Sequence, residues 1–412
     1  MRELAFLLRS AGFSASAEEL ARAQRRGYRA TVEDLLTWGD EADEPPPLTV
    51  LPPGFLLGLL EVAVLVDWWL ARMIETRYPA REKLALFWHG YFTTSADPVF
   101  LPAFLLRQNR LFRKQGGGRF GDLLPEVARD PAMLVYLDGH RNRKEHPNEN
   151  FARELLELFT LGVGNYSESD VREAARAFTG WGINWLTRGF KFTARHHDDG
   201  PKTFLGETRN WTGEEVLARL SDHPLTARHL AHRLFLFFAG ATPSLGEEAR
   251  LAGVLRAHHG EVLPVLRELF LGEEFRRQAR SRSVVRSPVE LVVGACRCAG
   301  ISSPGLKRLA ILKKLGELPF LPPNVSGWEG GAAWINSASL PDRWELAAQL
   351  AQQAAELWTG QSLEQLLAWG GQSDLSEPTR KLLMETWEQH RGPRRTAECL
   401  TLLWASPEGQ MR

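Results

Sequence analysis

Apolar side chains recur three and four positions apart along most of the 412-residue chain, the period of helices that bury one face. That spacing predicts helices over 2–11, 17–25, 32–38, 53–76, 80–93 and 104–113, and then over 148–161 and 170–178. Further helices are expected over 213–220, 224–238, 245–257, 262–271, 288–299, 305–315, 338–357 and 377–390. Local chemistry sets several ends. Pro147 precedes the 148–161 helix, Gly162 stands where a C-terminal glycine belongs, and Ser167 with Asp170 forms a capping-box pattern before the next helix. One stretch, 182–211, breaks the period. Phe190-Lys191-Phe192-Thr193 and Lys202-Thr203-Phe204-Leu205 alternate around an Asp199-Gly200 turn and predict a β-hairpin or extended arm. The fold class is therefore mainly α: one large multi-helix domain over 1–412 with one short hairpin insertion at 182–211. Residues 1–47 form an N-terminal helical cap and 345–412 a C-terminal helical extension.

Composition narrows the function classes only a little. Fifty basic and fifty acidic residues cancel, so no global field draws the chain to nucleic acid or an anionic membrane. The most apolar window, Leu51 to Met73, contains Glu61 and Asp67, so no membrane span is expected. Arg9 interrupts the first apolar run and no secretory signal is read, which predicts a cytoplasmic protein. Cys296, Cys298 and Cys399 are too few for a disulfide framework and are expected to be thiols. Fourteen Trp residues suit a large core, or aromatic platforms for a flat ligand.

Candidate chemistry gathers in three polar segments. On the 148–161 helix, Asn150, Arg153, Glu154 and Glu157 share a face about 100° wide, and Glu154 and Glu157 could share a proton or a metal. An ordinary solvated helix face is the plainer reading. His89 lies in Phe87-Trp88-His89-Gly90-Tyr91-Phe92, a lone imidazole among aromatics and equally at home as a core residue. His196-His197-Asp198-Asp199 places imidazoles and carboxylates at the tip of the arm, where a polar turn is the alternative. Gly116-Gly117-Gly118-Arg119-Phe120-Gly121 follows a helix rather than a strand and reads as a loop, not a dinucleotide fingerprint. Arg276, Arg277, Arg280, Arg282 and Arg286 form a local basic run.

The run Pro147-Asn148-Glu149-Asn150-Phe151-Ala152-Arg153-Glu154-Leu155, continuing through Glu157-Leu158-Phe159-Thr160-Leu161-Gly162, resembles the bacterial family known as domain of unknown function 1800. The likeness continues through Thr179-Gly180-Trp181, His197-Asp198, Lys202, Pro322-Pro323-Asn324-Val325 and Gly327-Trp328, with Phe87-Trp88-His89 and Arg343 also matching. Tyr91 stands where similar proteins often carry a second histidine. The resemblance brings no activity with it. It implies relatives that are often exported and often encoded beside a sulfatase- or phosphatase-like protein, a candidate partner.

Together these features lead to one expected site, formed where the His89 helix, the 148–161 helix and the His197 arm converge. His89, Glu154, His197 and Asp198 would carry acid/base or metal-assisted hydrolysis or transfer, with a divalent metal as the conceivable cofactor. Asn148, Glu149, Asn150, Arg153, Glu157 and Lys202 would bind, with Trp181 and Trp328 as apolar walls. The alternative is a non-catalytic scaffold in which the same polar residues lock the arm onto the helices.

Overall fold

In the computed structural model, residues 1–412 are described except 43, 47, 49–54, 282, 303, 304, 306, 359, 361 and 370–374. The described residues form twenty-two α-helices and two small antiparallel sheets of two strands each. One hydrophobic core runs through the chain, from Phe6 and Leu7 to Leu403 and Trp404. Near its centre lies the Pro79–Tyr91 helix, which Pro79 opens and which is buried on nearly every side. A central helix can carry polar side chains only if each finds a partner. Glu82 receives Arg113 at 2.7 Å, Arg72 at 3.4 Å and the Trp69 indole N–H at 3.1 Å.

The predicted helix ends are realised where side-chain chemistry dictates them. Ser167 and Asp170 exchange both capping-box hydrogen bonds, and Gly162 takes a φ of 83° after the polar helix. That helix is regular only over Asn150–Glu157; beyond it the Leu161 and Gly162 N–H groups both return to the Leu156 carbonyl. The long apolar helix is Phe55–Glu75, and its expected start at Pro52–Pro53 lies outside the described residues. Among the described residues no helix is long and apolar enough to cross a membrane.

The insertion holds two hairpins where the sequence pattern predicts one. Strand β1 (Trp181–Asn184) pairs with β2 (Gly189–Phe192), and β3 (Lys202–Phe204) pairs with β4 (Glu207–Arg209). The two alternating segments flanking Asp199-Gly200 thus each pair with a closer neighbour. Leu205 and Gly206, with φ of 46° and 80°, make the tight two-residue turn that matches strand twist. Phe204 is buried and Phe190 and Leu205 pack on the core, whereas Phe192 stays half exposed. All three cysteines are buried, and none is in a disulfide.

Candidate functional site

His89 serves as a clamp on the backbone. Its Nε2 accepts the Phe320 N–H at 2.9 Å, which leaves the ring proton on Nδ1. The ring touches Trp69, Phe320 and Trp328 at centroid distances of 5.4, 5.1 and 5.6 Å. Burial pushes its pKa down to about 3, so the imidazole is neutral at physiological pH. Phe320 itself has a φ of 66° and its carbonyl accepts the Ala96 N–H, so the 318–328 loop is pinned to the Pro79–Tyr91 helix and the segment after it. Gly327 completes the docking: at φ 78°, an added Cβ would stand 2.5 Å from the Gly90 carbonyl oxygen.

The polar helix is joined to the base of the arm, but not to His89. Asn142, a buried residue that the sequence reading passed over, links them. Its side chain accepts the Asn148 N–H at 2.9 Å and donates to the Ala175 carbonyl at 2.9 Å, while its own carbonyl accepts the Gly180 N–H. Asn148 in turn accepts the Asn150 N–H, an Asx turn that starts the helix. Arg153 is held by Glu168 at 2.8 Å and Glu149 at 3.1 Å, and Glu157 accepts the Tyr166 hydroxyl at 2.7 Å. Glu154 is partly exposed with no ion pair among the described residues. Partial burial and the adjacent Glu157 push its pKa upward against the pull of Arg153.

The arm tip is tightly self-bonded. His197, 7% exposed, donates Nδ1–H to the Thr179 carbonyl at 2.8 Å. Asp198 takes a two-pronged contact from Arg176, at 2.8 and 3.2 Å, which holds its carboxyl below the usual range. Lys202 is buried and spends its three donors on the Asp198 and Gly200 carbonyls and Asn210 Oδ1, at 2.6, 3.0 and 3.1 Å. Trp181 is buried between Phe178 and Phe190. No hydrogen bond, ion pair or ring contact among the described residues joins His89, Glu154 and His197 to one another. Among the described residues no three His, Cys, Asp or Glu side chains stand close enough to share a metal ion. The expected convergence is therefore a set of separate locks.

A second group of buried charges lies where the His89 helix meets the Pro288–Ala299 helix. A cavity of about 330 Å³ is lined by Phe87, Phe237, Trp328 and Trp334, and by the charged side chains of Arg233, Glu290, Glu317 and Arg412. The Pro288–Ala299 helix positions both inner carboxylates through its N-terminus. Ser287 and Glu290 exchange capping-box hydrogen bonds, and Glu317 accepts the Val289 N–H at 2.8 Å. Glu290 is ion-paired with Lys83 and with Arg412, the latter at 2.6 Å. Burial drives its pKa up, but Arg412 and Lys83 more than offset this and hold it at about 2. Glu317 has no cation within ion-pair distance among the described residues. Burial pushes its pKa up to about 7, against the hydrogen bond from Val289. Lys83 is lowered to about 8 by burial, despite Glu290, and stays charged at neutral pH. Two carboxyl groups at one helix end thus face one cavity with their proton affinities driven apart. Trp328 is the sequence-predicted residue that lines it, and its indole N–H is buried without a hydrogen-bond partner.

Sequence reasoning missed Lys83, Arg233, Glu290, Glu317 and Arg412. One signal was present: Ser287-Pro288-Val289-Glu290 is an S-x-x-E capping box with Pro at the first helical position. A model of the family described as protein of unknown function (DUF1800) matches residues 6–411. Neither a curated protein nor a solved structure matches the chain.

Proposed function

The chain belongs to the DUF1800 family, and on that premise we propose that it is an acid/base hydrolase or transferase whose reaction takes place in the Trp328 cavity. The observation that carries this reading is the pair Glu290 and Glu317, held at one helix N-terminus with environments that drive their protonation apart. Such separation is how a protein keeps one carboxyl as a proton donor beside another that stays ionised. Glu317, about half protonated at neutral pH, would give its proton to a leaving group and then take one from an incoming water or acceptor. Glu290, fixed between Lys83 and Arg412, would keep the charge of the floor constant while that proton moves. His89 contributes by position, since its bond to Phe320 holds the loop that carries Trp328.

The test is a panel of chromogenic esters, amides, glycosides, phosphates and sulfates, run on the wild-type protein and on Glu317→Gln. Turnover of at least one class, falling about 100-fold or more in the variant with melting behaviour retained, supports the reading. Turnover equal in both proteins, or none in either, contradicts it.

One observation favours a docking role as the second reading. On the β1–β2 hairpin, Leu186 is 92% exposed, and half-exposed Trp185 stacks on half-exposed Phe100 at 5.8 Å. If a sulfatase- or phosphatase-like partner binds there, Leu186→Asp should abolish its co-purification, and unchanged recovery would remove this reading.

A further inference from the structure

The cavity described above has a charge pattern that its acid/base pair does not use. Arg233, on the Pro224–Ala239 helix, lines it, and its guanidinium lies 5.3 Å from the Tyr91 ring centroid. Tyr91 is fixed beneath it by a hydrogen bond from its hydroxyl to the Phe159 carbonyl. Arg233 has no carboxylate partner among the described residues, unlike Arg412, whose charge is spent on Glu290 and on the Phe237 and Phe238 carbonyls. The other charged groups of the lining are Arg412, paired with Glu290, and the carboxyls of Glu317 and of exposed Glu329. A cation without a partner, stacked on an aromatic ring at the edge of a partly buried cavity, is a preformed seat for an anion. The remaining walls are aromatic and aliphatic, with Leu236, Val284 and Val285 beside Phe87, Phe237 and Trp328.

We propose that the cavity binds a small molecule with one anionic group, a carboxylate, phosphate or sulfate, attached to a flat apolar body. The anionic group pairs with Arg233, and the flat body lies between Trp328 and Phe237. Binding anionic aromatics would also direct the bond to be broken toward Glu317, so this inference rests on the acid/base reading of the same cavity. The volume is at the lower end of ordinary small-molecule sites.

Naphthalene carboxylate, its neutral carboxamide and naphthylmethylamine are the probes, titrated by calorimetry and by tryptophan fluorescence into wild type, Arg233→Gln and Arg233→Lys. The expected result is saturable binding of the carboxylate, at least tenfold tighter than of the carboxamide, with no binding of the amine. Arg233→Gln should erase that tenfold preference, and Arg233→Lys should restore most of it. Equal affinity for carboxylate and carboxamide, tighter binding of the amine, or no binding of any probe to wild type would each overturn the proposal. A preference that survives in Arg233→Gln would also overturn it. The outcome is separable from the acid/base reading, because the protonation of Glu317 is read on the protein without ligand. A protonated Glu317 together with no anion preference removes the ligand class alone. Anion preference together with an ionised Glu317 removes the acid role alone.

Discussion

At the scale of single residues, burial decides which polar side chains are poised for chemistry and which hold the fold. Glu154 and Glu317 illustrate the contrast. Glu154 is partly exposed and unpaired beside Glu157, so Glu154→Ala should change stability by no more than about 0.5 kcal/mol, read as a chemical-denaturation midpoint. Glu317 is buried, with a folded pKa of about 7 against an ordinary value of 4.5. A carboxyl raised on folding adds stability that is complete below its unfolded pKa and lost as pH rises through its folded one. Wild type should therefore lose roughly 3 kcal/mol relative to Glu317→Gln between pH 4.5 and 8. A constant difference between the two proteins across that window would show that Glu317 titrates normally. Asp130, also raised to about 7 by burial, adds to the slope of both proteins and cancels in the comparison.

At the scale of elements, the sequence shows which face a segment buries more readily than what it pairs with. The 170–178 helix, its Ser167 cap and the Gly162 stop were legible because capping depends on residues three apart. The arm was only partly legible. Alternation in Phe190-Lys191-Phe192 and Lys202-Thr203-Phe204 announces strands, but it does not choose between two local hairpins and one longer one. The choice is made by Asn184, whose side chain accepts the Leu186 and Thr187 N–H groups, and by the Leu205-Gly206 turn. Lys202 then fastens the arm. Lys202→Met keeps the stem but leaves two carbonyls and Asn210 without its ammonium. It should cost about 2–3 kcal/mol and speed proteolysis within 182–211. Cleavage at the wild-type rate would mean that the arm is held mainly by Phe204 and Phe190.

At the scale of the whole molecule, the cavity gathers residues that no local pattern could connect. Arg233, Glu290, Arg412 and the 317–328 segment with Glu317 and Trp328 come from four separate parts of the chain, and only the Ser287–Glu290 cap announces itself along it. The resemblance did bring His89 and Trp328 together, and their rings touch in the fold. It could not assign them roles, because a buried imidazole bonded to a backbone N–H and a catalytic one look alike in sequence. The loop that places Trp328 depends on close approach at Gly327. Gly327→Ala puts a methyl against the Gly90 carbonyl at a φ of 78° and should lower stability by about 1–3 kcal/mol. It should also change Trp328 fluorescence relative to a Gly253→Ala control, a position with open space around it. Identical spectra for the two variants would separate Gly327 from the cavity wall.

The central claim, that this cavity holds a protonated carboxyl beside an ionised one, is tested most directly by infrared titration of wild type against Glu317→Gln. At pH 6 the difference spectrum should contain one carboxylic-acid C=O band, which fades as pH rises through about 7. A difference spectrum with only carboxylate bands at pH 6 would mean that Glu317 is ionised like Glu290, and the cavity would then have no acid to offer.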